Sequence, residues 1–89
     1  MADVELVKKY LRIDGSEEDE ILALYVASAI EYLSNAGVKE PDKQSNLYDL
    51  AVVQYVKKEY ARDEREVEMT EKSLSSIVLQ LKDYGGVEA

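Results

Sequence analysis

The sequence predicts an all-α protein: a small four-helix domain with helices near residues 3–11, 17–35, 44–63 and 71–84. Three observations support that class. Apolar residues recur at spacings of three and four through most of the chain, the period of a helix face. The single Pro and four Gly fall mainly between the periodic segments, where helices start and stop. The 89 residues, 46% hydrophobic, suffice for one packed core and leave no room for a second domain.

Asp3 stands where a cap belongs, ahead of Val4, Val7, Tyr10 and Leu11, which share one helical face. Leu6 widens that face, and Asp14-Gly15 supplies a turn. Ser16, followed by Asp19, reads as a near capping box for the second helix. Glu17, Glu18, Asp19 and Glu20 then sit at the positive end of its dipole. Ile21, Leu24, Tyr25, Ala29, Tyr32 and Leu33 keep the helical period, with Leu22, Val26 and Ile30 as a stripe beside them. Gly37 is the natural stop.

Pro41 disfavours helix at Glu40, so residues 37–44 form a polar connection. Either Asp42 or Ser45 caps the third helix. Its LAVVQYV stretch is apolar nearly all round, which implies burial on several sides. Three Val and a Tyr also suit a buried strand, but the good helix formers of residues 57–62 favour the helix. Residues 63–69 read as a charged connection. Thr70 or Ser73 caps a last helix with Leu74, Ile77, Val78 and Leu81 on one stripe, and Gly85-Gly86 ends it.

Composition narrows the function classes. Without Cys there is no disulfide, thiol nucleophile or zinc-thiolate site; without His, the commonest general base and metal ligand is missing. No apolar run approaches a membrane span, and the first ten residues lack the apolar stretch of a signal peptide. The expectation is a soluble, non-enzymatic protein of a reducing compartment with no cofactor and no membrane partner. Eleven basic residues against nineteen acidic ones give a net charge of −8, which argues against gripping nucleic acid through its phosphates.

The acids from Glu17 to Glu20 fail as a calcium loop. Counted from Asp14, position six is Asp19 instead of Gly, and position twelve is Tyr25 instead of an acid. Ser16 and Thr70 have no His to activate them and stand where caps belong. The seven Tyr, in a chain without Phe or Trp, fall at or beside apolar positions. They serve either core-edge packing or a protein interface, where Tyr is enriched. Tyr48 and Tyr55 share one face of the third helix and are the pair placed for such a contact. The second and third helices also carry more apolar surface than a domain this small can obviously cover, which points to contact with copies of itself.

The run VKKYLRIDGSEEDEILALYVASAIEYL resembles the opening of the phage head–tail connector (adaptor) family, whose members are often described as DNA-packaging proteins. The resemblance rests on Tyr10-Leu11-Arg12-Ile13, the turn Asp14-Gly15, the acids Glu17 to Glu20, and Ala29 with Tyr32-Leu33. Leu50-Ala51 through Tyr60-Ala61-Arg62 is similar to the family's third helix, and Leu74 to Tyr84 to its closing helix. It implies a structural virion protein of the phage neck, made in the bacterial host cytoplasm. Its partners would be copies of itself in a ring of usually about twelve subunits, the portal, the tail or stopper protein, and passing DNA bound without sequence specificity.

On that resemblance, two groups of residues become candidates. Between residues 59 and 71, Glu59, Asp63, Glu64, Glu66, Glu68 and Glu71 outnumber Arg62 and Arg65, for a net −4. Facing the channel, they would form a negative collar that keeps DNA centred and sliding. Portal docking in the family often uses a C-terminal extension. Only three residues follow Gly86 here, so the expected contact moves to the helices, with Lys8 and Lys9 of the first helix as candidates. The competing reading is a small acidic helical regulator or inhibitor that binds a basic protein.

Overall fold

The computed structural model describes residues 3–61 and 63–88, with side chains as far as Lys82. Among the described residues there are four helices and no strand: α1 Val4–Leu11, α2 Asp19–Asn35, α3 Asn46–Tyr60 and α4 Glu64–Glu88. None of these is long and apolar enough to cross a membrane. Helix α3 packs against each of the other three, and α4 packs chiefly on α3.

Helix α1 starts as expected, with the Asp3 carboxylate accepting from the Leu6 N–H at 3.0 Å. Its end is less ordinary. The Ile13 N–H donates to Lys8 C=O at 2.9 Å, and Arg12 closes the helix in the left-handed region at φ 58°. Helix α2 closes by the same pattern. Val38 N–H donates to Leu33 C=O at 2.8 Å and Gly37 N–H to Ser34 C=O at 3.0 Å, with Gly37 at φ 94°. Val38 and Leu33 are both buried beside this closure, which fixes the exit direction.

The third helix is enclosed. Ala51, Val52 and Val56 are wholly buried, and Val53 nearly so. Around them pack Val7 of α1, Leu22, Val26, Ala29 and Leu33 of α2, and Leu74, Ile77 and Val78 of α4. Valine is a mediocre helix former, so this segment is helical because its neighbours bury it. Ser45 is the cap, accepting from the Tyr48 N–H at 3.2 Å. Gln44 therefore lies just outside the helix, and its amide donates to Asp49 Oδ2 at 2.8 Å.

Several boundaries differ from expectation. Helix α2 begins at Asp19, not 17, and Ser16 makes no side-chain cap there. Residues 16–18 instead form a turn, with the Asp19 N–H donating to Ser16 C=O at 3.3 Å. Helix α3 ends at Tyr60 because Ala61 is extended. The largest correction is α4, which begins at Glu64, so the predicted connection over 63–69 is mostly helix. Asp63 starts it: its side chain accepts from the Arg65 N–H at 2.9 Å and its C=O from Val67 N–H at 3.0 Å. Thr70 is consequently mid-helix and buried, and its hydroxyl donates back to Glu66 C=O at 2.8 Å. Gly85 and Gly86 do not stop the helix, which runs through them to Glu88. Glycine lowers helix stability by about 1 kcal/mol per residue, a cost a long helix can carry.

The burial pattern of α2 also departs from the expected stripes. The core seam is Leu22, Val26, Ala29 and Leu33, whereas Ile21 and Leu24 are 50% and 63% exposed. The sequence places apolar residues on three sides of this helix, and only the packing of α3 decides which side is inward.

The two helix closures generate a matched prediction. A Cβ at Gly37 would meet only the Lys82 Cε, at an ordinary 3.5 Å, so its positive φ alone sets the cost. Gly37→Ala should destabilise by about 1–2 kcal/mol, the usual left-handed penalty. Arg12→Gly should stabilise by up to about 1 kcal/mol, the relief being partly offset by glycine's greater unfolded freedom. Urea midpoints of the two variants, moving in opposite directions, check both.

Candidate functional site

Among the described residues no group of three or more acids could hold a metal ion. The polar side chains are instead distributed over surfaces and helix contacts.

Helix α1 is fastened by two polar contacts. Lys8 Nζ meets Asp19 Oδ1 at 2.9 Å, joining α1 to the first turn of α2. Gln54 Nε2 donates to the Tyr10 hydroxyl at 3.2 Å, joining α1 to α3. The hydrogen bond from Lys8 to Asp19 raises the lysine's pKa above its ordinary value, against a smaller opposing effect of burial. Lys8 is thus engaged within the molecule, while Lys9 is exposed. Only Lys9 of the two predicted contacts presents a free surface position.

The tyrosines divide by environment. Tyr48 is 3% exposed, and its buried hydroxyl has no hydrogen-bond partner among the described residues. It is a core residue, not the surface contact expected beside Tyr55. Burial, then Glu40 and Asp49, push its pKa up. Tyr55 is half-buried, its ring 5.3 Å from that of Tyr32. The Lys58 ammonium lies 5.0 Å from the Tyr55 ring centre and 5.7 Å from that of Tyr32, within cation–π range. This group borders a shallow depression lined also by Ser28, Glu31 and Asn35. Burial foremost, then Glu59, raises the Tyr55 pKa.

A second aromatic pair, Tyr25 and Tyr60, meets edge to face at 5.6 Å, and the Tyr60 hydroxyl donates to Glu18 at 3.3 Å. Burial, followed by the Glu18 charge, raises the Tyr60 pKa. Arg62 and the side chain of Tyr84 lie outside the described residues.

The six candidate collar acids are all exposed, but they do not lie on one loop. Glu59 is on α3, and Asp63 is the side-chain cap of α4. At about 100° per residue, Glu64, Glu68 and Glu71 share one flank of α4, while Glu66 falls on the other. Glu68 also meets Lys72 at 3.5 Å in an exposed pair. What sequence reasoning missed is the capping role of Asp63. The signal was present as Asp63-x-x-Glu66, a capping-box spacing, directly before the first inward residue, Val67.

Comparison with known proteins adds one finding. A family model described as Phage gp6-like head-tail connector protein matches residues 1–84. Neither the curated proteins nor the solved structures yield a match.

Tyr48 and the raised pKa values give two predictions. Tyr48→Phe removes a buried hydroxyl that has no hydrogen-bond partner among the described residues and keeps the ring, so stability should be unchanged or rise by about 1 kcal/mol; thermal melting decides. For Lys8, Tyr48, Tyr55 and Tyr60 the folded state holds the proton more tightly than the unfolded chain. Their contribution is therefore complete below the ordinary values of 10.0 for Tyr and 10.5 for Lys, and is lost as pH rises through the higher folded values. A pH series of denaturation midpoints should fall above about pH 10, and Lys8→Met should flatten part of that fall.

Proposed function

Since the chain belongs to the phage gp6-like head-tail connector family, a family of structural phage proteins, we propose that it assembles as a ring between portal and tail and extends the DNA channel there. The observation that carries this reading is the family match over residues 1–84. Large apolar side chains remain exposed on α2 and α4, where they are available to a partner in such an assembly. The partners in this reading are further copies of the chain, the portal and the tail or stopper protein. Its place is the virion neck, after synthesis in the host cytoplasm.

The fold refines the collar idea. Glu64, Glu68 and Glu71 rise along one flank of a helix, so a ring would repeat that ladder around its circumference. Facing the lumen, the ladders would repel the phosphate backbone and keep the duplex centred. A net charge of −8 suits such a channel lining better than a DNA-binding one.

Mass in solution over a concentration range, alone and with purified portal, tests assembly. The expected outcome is a ring-sized species, either alone or only with portal; a monomer or dimer indifferent to portal would reject the reading. Neutralising the ladder by Glu64→Gln, Glu68→Gln and Glu71→Gln should leave assembly intact and slow DNA ejection. Ejection at the normal rate would reject the collar.

A further inference from the structure

Two helix faces point away from the core and carry opposite character. On α2, Ile21 and Leu24 are 50% and 63% exposed, and Glu20 and Glu31 are exposed on the same outward side. On α4, Met69 and Leu79 are 65% and 63% exposed, and between and before them stand Lys72 and Arg65, also exposed. The spacings match as well. Ile21, Leu24, Ser28 and Glu31 follow one another at three, four and three residues, and Arg65, Met69, Lys72, Ser76 and Leu79 at four, three, four and three. Such alternation is the seam spacing by which one helix packs along another. Each stripe is a narrow apolar line with charges on it, acidic on α2 and basic on α4.

We propose that the α2 stripe of one subunit docks on the α4 stripe of the next. The occupant of each face is a second copy of this chain, in head-to-tail order. The charges select that arrangement. Two α2 faces brought together would oppose Glu20 and Glu31 to their own copies, and two α4 faces would oppose Arg65 and Lys72 to theirs. Only the mixed pairing covers both apolar lines while joining unlike charges. A contact between two different faces propagates into a ring or filament instead of stopping at a dimer. This inference rests on the ring reading above and names the surfaces that would build it. Among the described residues Lys72 pairs with Glu68 in an exposed, readily exchanged contact, which leaves it available for a partner's acid.

The chain contains no Cys, so introduced thiols are the only ones present. Oxidation of the Leu24→Cys, Lys72→Cys double variant, alone and on the portal, should give a ladder of covalent oligomers. Leu24→Cys alone and Lys72→Cys alone should give none. Dimers from either single variant would show a same-face contact and overturn the proposal. A ring-sized species without the ladder would overturn it too while leaving the ring reading standing. Absence of any oligomer, with or without portal, would overturn both. Charge reversal gives an independent readout. Arg65→Glu with Lys72→Glu should raise the concentration needed for assembly by about tenfold or more. Adding Glu20→Lys and Glu31→Lys in the same chain should restore it. All four positions are exposed, and circular dichroism verifies that the variants keep their helices. Failure of the second pair to restore assembly would count against the pairing.

Discussion

A helix with apolar side chains on nearly every side has to be enclosed, and the enclosure of α3 is the constraint on which the rest of the architecture depends. Ala51, Val52, Val53 and Gln54 are all buried, and four consecutive residues at about 100° each point to every side of the helix. No single partner can cover them all, so α1, α2 and α4 each take a side. The central helix has poor intrinsic propensity and is held by its packing, while the outer helices carry the charge. Even the polar groups of α3 are drawn into this enclosure. Gln54 reaches Tyr10, Gln44 reaches Asp49, and Tyr48 lies in the core with its hydroxyl buried. A fold organised this way places its cohesion along one axis and leaves the outward faces of α2 and α4 free of structural duty.

Those outward faces are where function is expected in a connector. Enzymes concentrate unusual chemistry in one cleft, whereas a structural ring protein distributes its working residues over surfaces that meet neighbours. The polar contacts fit that division. The Lys8–Asp19 ion pair and the Tyr60–Glu18 hydrogen bond tie the start of α2 to α1 and α3, so two of the four acids in that run are occupied in holding helices together. Glu20, further along, remains outward. On α4 the charges separate around the helix, with Glu64, Glu68 and Glu71 on one flank and Arg65 and Lys72 turned further from the core. In the proposed ring, a single helix would therefore present a negative face to the lumen and a basic, partly apolar face to a neighbour.

The identity of the helices was legible in the residues, and so was much of their punctuation. Asp3 and Ser45 cap where their positions suggest, and Gly37 closes α2 in the left-handed conformation that glycine tolerates. The candidate surface was legible in part. That α2 had apolar residues to spare could be seen from Ile21 and Leu24. That Tyr48 would be core and Tyr55 only half-buried could not, because residues seven apart share a helix face but meet different neighbours at its two ends. Residues 63–69 read as a connection because only Val67 among them faces inward, and the next inward position holds Thr70, whose hydroxyl disguises the helical period.

By itself, then, the amino-acid sequence determined the all-α class, the four helices, the caps at Asp3 and Ser45, the stop at Gly37 and the family, because capping, turn preference and helical periodicity act over a few neighbouring residues. The tertiary structure alone decided which side of α2 faces α3, which tyrosines are withdrawn from the surface, and how the acids of α4 divide around it. Those outcomes depend on how four helices share one small core, and that sharing is settled by contacts between residues far apart in the chain, such as Tyr10 with Gln54 and Glu18 with Tyr60.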